Sequence, residues 1–251
     1  MKSRITALLA SLALGSSLVF VSAGIATAAS PPAGPSGRGV CAPELAALKP
    51  ASVDTLRAFG DCEINRRFTT LNDLSSRITA SKFITPSDAS ALQSEINSTR
   101  SGLTSLKGTI DAETSIPSLK LEIVQIATDY RVYLLVVPQV NLINAADAVM
   151  VAQSRFATVN TNLAARIAVA KAAGKDTTAA QSDLDAMNAS VAAAAGLASP
   201  LPAQLLPLTP AQYNGGTAGP ILNGARTALG QARDDLKSAI ADAKACRDAL
   251  T

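Results

Sequence analysis

Nine residues near the C-terminus, Leu222, Ala225, Leu229, Ala232, Leu236, Ala239, Ala243, Cys246 and Leu250, recur at alternating steps of three and four. That period lines them up along one stripe of a helix, whereas a strand would scatter them over both faces. Small residues at alternate positions let a neighbouring helix approach closely. A chain carrying such a seam has to bury it against other helices. The rest of the sequence supplies them.

Residues 52–82 form a first helix, with Ser52 as N-cap and Ile64, Phe68, Leu71, Leu74 and Ile78 on one face. Thr85-Pro86-Ser87-Asp88 opens the second, offering a hydroxyl cap, a proline in the first turn and an acid just after it. Its stripe is Leu92, Ile96, Thr99, Leu103, Leu106 and Ile110. A third helical stretch runs over 116–173, through Leu119, Ile123, Ile126, Tyr130 and Leu134, then Val149, Phe156, Leu163, Ile167 and Ala170, to a stop at Gly174. Pro138 interrupts it. A proline there lacks the N–H for the Leu134 carbonyl, so the spacing predicts a kink, or two helices meeting at that point. A fourth helix starts near Asp176-Thr177 and carries Ala180, Leu184, Met187, Val191 and Ala194. Residues 198–219, rich in Pro and Gly, are expected as a loop, either functional or strapped over the bundle.

Three Tyr, no Trp and abundant Ala argue against a β-sandwich, whose strands favour aromatic and β-branched residues. The expected fold is all-α, an elongated antiparallel helical bundle. It divides at Pro138 into 52–138 and 139–251, two three-helix bundles sharing a long kinked helix; the rival is one four- or five-helix bundle folded back at that proline.

The N-terminus carries an address. Lys2 and Arg4 precede an uncharged apolar stretch from Ile5 to Ala29, closing on Ala26-Thr27-Ala28, the small-x-small pattern of a signal-peptidase site. Residues 1–28 are therefore expected to be removed, and residues 29–51 to form a Pro/Gly-rich leader. Cys41 follows Arg38-Gly39-Val40, which is no lipobox. Loss of Lys2 and Arg4 lowers the formal charge from +3 to +1. The remaining cations are scattered, which argues against nucleic acid as a partner.

The three cysteines allow three pairings. In an exported chain a disulfide is the default for a close pair, and Cys41 with Cys62 is the candidate. Cys246 lies on the last seam, where a free thiol behaves as a small hydrophobe. The sequence contains no His, which removes Ser-His-Asp and Cys-His machinery and the commonest zinc sites; no metal or cofactor is expected. Asp183, Asp185, Asp234 and Asp235 fall on polar helix faces among Lys and Arg, as on a solvated surface. Leu206-Pro207-Leu208-Thr209-Pro210 imitates a sortase signal but has Pro210 in place of its Gly, and no apolar tail follows.

The run Val132–Ile143, VYLLVVPQVNLI, is the most hydrophobic of the mature chain and too short to cross a bilayer. It is expected to be a buried central segment. The alternative is an interaction patch built from Tyr130, Tyr133, Leu135, Val136 and Pro138, which requires exposure. With Tyr130-Arg131-Val132-Tyr133 ahead of Leu134 to Pro138, the turn Gly174 to Thr178, and a Pro-rich loop containing Tyr213, the chain resembles uncharacterised secreted helical-bundle proteins of actinomycete-type bacteria. The resemblance implies export and helical architecture, and no activity. The expected function is a structural or binding role toward a protein or cell-envelope partner, without catalysis. A lipid-surface protein and a carboxylate-dependent hydrolase are the alternatives.

Overall fold

A computed structural model describes residues 40–49 and 51–251. The signal peptide and most of the leader fall outside them. All regular structure among the described residues is helical: α1 (Ala42–Ala46), α2 (Val53–Ala80), α3 (Pro86–Ala112), α4 (Ile116–Thr128), a π turn (Val132–Val136), α5 (Val137–Ala172), α6 (Thr178–Ala198), α7 (Leu201–Leu205), α8 (Pro210–Asn214) and α9 (Ala218–Asp248). The helices pack together as an all-α bundle.

The helix starts are chemically explicit. The Ser52 hydroxyl accepts from the Thr55 backbone N–H while the Thr55 hydroxyl takes the Ser52 N–H, a reciprocal capping box on α2. Thr85 accepts from the Asp88 N–H at the head of α3, with Pro86 in the first turn. Gly174, at φ 76°, lets the chain leave α5, and the Lys175 N–H then reaches the Ala170 carbonyl.

The larger core cluster joins Leu56, Ile64, Leu71, Leu74 and Ile78 of α2 to Leu92, Ile96, Leu103 and Ile110 of α3 and to Leu119 and Ile126 of α4. It continues without a gap through Leu135, Val140 and Ile143 into Ala194 and Ala198 of α6 and the first half of α9. A smaller cluster, Leu163, Ile167, Leu184, Met187, Ala239, Ala243 and Cys246, occupies the far end, where only α5, α6 and α9 remain. Phe156 packs against both. The larger core therefore runs past residue 138 on both sides, through Val136 and Val140, and α5 is the element common to both clusters.

Two expectations need correction. The break in the third stretch falls at Asp129–Arg131, not at Pro138. Arg131 adopts φ 42°, ψ 34°, and the π turn follows, closed by the Val137 N–H on the Val132 carbonyl. Pro138 therefore stands at the start of α5, directly behind the π turn, whose wider Val137–Val132 bond has already shifted the hydrogen-bond register ahead of the proline. The break also shifts the phase of the stripe: Leu135 and Val136 turn inward and Leu134 is 47% exposed. The second correction concerns 198–219, which holds two short helices, with Leu201, Leu205 and Leu208 buried against the larger core. It is a packed strap.

Candidate functional site

The sequence segment with the most chemistry, Tyr130 to Tyr133, spends its side chains on neighbouring helices. Tyr130 lies on α3 over Gly102; a Cβ there would stand 2.5 Å from the ring. Burial, helped by Asp129, pushes its phenol pKa above the usual value. The Arg131 guanidinium stacks on the Tyr213 ring of α8 at 5.3 Å, and its Nε donates to Asn214 Oδ1 at 2.6 Å. The Asn214 amide in turn donates to the Thr128 carbonyl at the end of α4. Val132 is buried. The Tyr133 ring receives Arg66 and Arg67 of α2 at 4.9 and 5.3 Å. Arg67, itself buried, also donates to the Glu63 carbonyl and carboxylate. Four consecutive residues thus tie the α4–α5 junction to α2, α3 and the strap.

The expected interaction patch does not form as a unit. Leu135 and Val136 belong to the core, and Tyr130, Tyr133 and Pro138 are partly buried. The Val132–Ile143 run is buried along one side, with Leu134 in water, and is held further by Gln139. That side chain is fully buried and donates to the Leu205 and Leu208 carbonyls of the strap, at 2.9 and 3.3 Å. Within Ile116–Ala172 an 18-residue window of mean hydropathy 1.6 is long and apolar enough to cross a membrane by composition, but half of that window lies inside the protein.

Cys41 and Cys62 are bonded, with Cα atoms 5.8 Å apart, and Cys246 is free and buried. The bridge pins α1 to the outer side of α2. Of the four acids placed on polar faces, Asp185 and Asp234 are exposed. Asp183 and Asp235 are partly buried, and Asp235 Oδ2 is shut off from solvent without a hydrogen-bond partner.

One carboxyl pair escaped the sequence reading. Asp147 of α5 is 4% exposed and accepts the Thr85 N–H at 2.9 Å; Thr85 Oγ1 donates to Asp88 at 2.9 Å. Burial raises the Asp147 pKa to about 6, against the lowering effect of the Thr85 bond, and Asp88 raises it further. Two carboxyls sharing one corner is a pattern of acid–base sites. The nearest groove, about 360 Å³, is shallow and open, and runs along Arg77, Ser81, Phe83, Ile84, Val140 and Asn144. Neither acid lines it. The corner locks the α2–α3 turn onto α5.

Among the described residues, α4 leaves an apolar pair in water, Leu121 and Val124, 69% and 56% exposed and one turn apart. No family model, curated protein or solved structure matches the chain.

Proposed function

We propose that the mature chain is an exported, non-catalytic helical-bundle protein that binds a protein partner in the secreted medium or the cell envelope. The observation that carries this reading is the Leu121–Val124 pair. Two large apolar side chains stand in water on α4 while the polar side chains around Tyr130–Tyr133 are engaged in holding helices together. The Cys41–Cys62 bond supports an oxidising compartment, as does the signal-peptide pattern of residues 1–28.

The test compares the mature chain with its Leu121→Asp/Val124→Asp double variant for retention on envelope and supernatant fractions of the source bacterium. Retention lost in a variant with unchanged helicity is the expected result. Equal retention removes α4 as the binding face.

The same exposed pair, on a helical stretch that holds an 18-residue window of mean hydropathy 1.6, supports a second, lipid-surface reading. Co-sedimentation with anionic and neutral vesicles separates the two: a protein-binding role predicts no pelleting with either.

A further inference from the structure

The disulfide has a third member. Glu44 follows Cys41 by three residues in the first turn of α1, so both side chains leave one face of that helix. Its carboxylate and the sulfurs of Cys41 and Cys62 all lie within 4.8 Å of one another. Glu44 Oε2 is closed to solvent and has no hydrogen-bond partner, and no Lys or Arg pairs with this carboxylate among the described residues. A carboxylate oxygen left in that condition is costly unless something else satisfies it. The two sulfurs lie within 4.8 Å of that carboxylate. Two sulfurs and one oxygen, converging from two helices, are a donor set that suits a thiophilic divalent cation.

We infer that Cys41, Cys62 and Glu44 form a redox-gated site for a divalent metal of the zinc class, closed while the disulfide stands and opened by its reduction. The chemistry balances with a dithiol as reductant. Two electrons and two protons pass from the dithiol to the S–S bond, giving two thiols and an oxidised, cyclic reductant. The metal ion then displaces one proton from each thiol and is held by two thiolates and the Glu44 carboxylate, leaving a fourth position for water. The third cysteine takes no part: Cys246 is buried in the smaller core at the far end of α9. The placement on α1 gives the site a consequence. In the oxidised protein a covalent bond holds α1 on α2; in the reduced protein the metal takes over that tie.

The experiment uses the mature chain in a Cys246→Ala background, reduced with a phosphine under argon and titrated with Co²⁺ as the spectroscopic probe. One equivalent is expected to bind, with a thiolate-to-cobalt charge-transfer band and the visible bands of tetrahedral cobalt, both erased by Zn²⁺. Glu44→Gln is expected to weaken binding by about tenfold or more, and Cys62→Ser to abolish the charge-transfer band. The unreduced protein is expected to give no such band. Zn²⁺ is also expected to slow alkylation of Cys41 and Cys62, with a chelator restoring the rate, while circular dichroism confirms that helicity persists. Absence of the band in the reduced protein, unchanged affinity in Glu44→Gln, or the same band in the unreduced chain each overturns the proposal.

Discussion

Arg131 is the one non-glycine residue among those described that has a positive φ, at 42°. For an L-residue with a Cβ this region costs roughly 1 kcal/mol, which only the surroundings can offset. Here the offset is visible: Nε on Asn214, the guanidinium on Tyr213, and Asn214 on Thr128. Removing the side chain while keeping the Cβ leaves the strain and loses the clamp, so Arg131→Ala should destabilise by about 1–2 kcal/mol. Arg131→Gly loses the same clamp but relieves the strain, and should cost less. Urea midpoints of the two variants test this. An alanine variant more stable than the glycine variant would remove the strain argument. Nothing in the sequence marks this position, because arginine is no turn former; the sequence instead points to Pro138, which the chain accommodates by restarting the helix there. Thr85 and Asp147 were hidden for another reason: they meet across 62 residues, and local pattern carries no information about such pairs.

Gly102 and Gly108 are two glycines of one helix, α3, in opposite situations. A Cβ at Gly108 meets nothing within 4 Å, so Gly108→Ala should stabilise by about 0.5–1 kcal/mol through helix propensity alone. At Gly102 it would stand 2.5 Å from Tyr130 Cε1 and 2.9 Å from its hydroxyl. The tyrosine would have to move off α3 and loosen the α4–α5 junction, so Gly102→Ala should be destabilising by about 1 kcal/mol or more despite the same propensity gain. Thermal melts of the pair read the sign directly; two stabilising results would mean that Tyr130 yields without cost. The helices that read clearly from sequence are those whose caps and stripes are local. Ser52 and Thr85 cap where their hydroxyls predict, and eight of the nine seam residues of α9, Leu222 through Cys246, are buried. The strap over 198–219 does not read as helix, because each of its helices is five residues long: α7 rests on Leu201 and Leu205 in the core, and α8 on the Thr209–Gln212 capping box and the Asn214 bonds, rather than on period. The exposed apolar pair on α4 escapes the sequence for the same reason. Leu121 and Val124 continue the apolar composition of α4, and only the packing of Leu119 and Ile126 against α2 and α3 shows which face is left in water.

Two carboxyls at different places in the molecule set how its stability depends on pH. Burial lifts the pKa of Glu95, partly buried on α3, to about 7, and that of Asp147, at the α2–α3 corner, to about 6. Both values lie above those of an unfolded chain, so between them the folded protein holds protons that the unfolded one has lost. Stability then falls as pH rises through this window. The contribution is complete below the ordinary carboxylate range and is lost once pH passes the folded values. Glu113, Asp176 and Asp234 have lowered pKa values, from backbone N–H bonds at the first two and from Lys237 at the third. Their stabilisation is present above the ordinary carboxylate range and fades only in acid, so it leaves the interval from pH 5 to 8 to the raised carboxyls, Glu95 and Asp147 foremost, with Glu122, which burial and Glu113 also raise, acting in the same direction. The mature, oxidised chain should accordingly be more stable at pH 5 than at pH 8, by an amount on the order of 2–4 kcal/mol, less where water reaches the partly buried Glu95. Chemical denaturation at fixed ionic strength across that interval measures the slope. Glu95→Gln and Asp147→Asn should each flatten it and together remove most of it, leaving the share of Glu122. The glutamine variant should also raise stability at pH 8, since it takes a desolvated charge out of α3 without opening a cavity. A profile that rises from pH 5 to 8, or one that the double variant leaves unchanged, would show that these carboxyls reach water in solution and that α3 and α5 pack less closely around them.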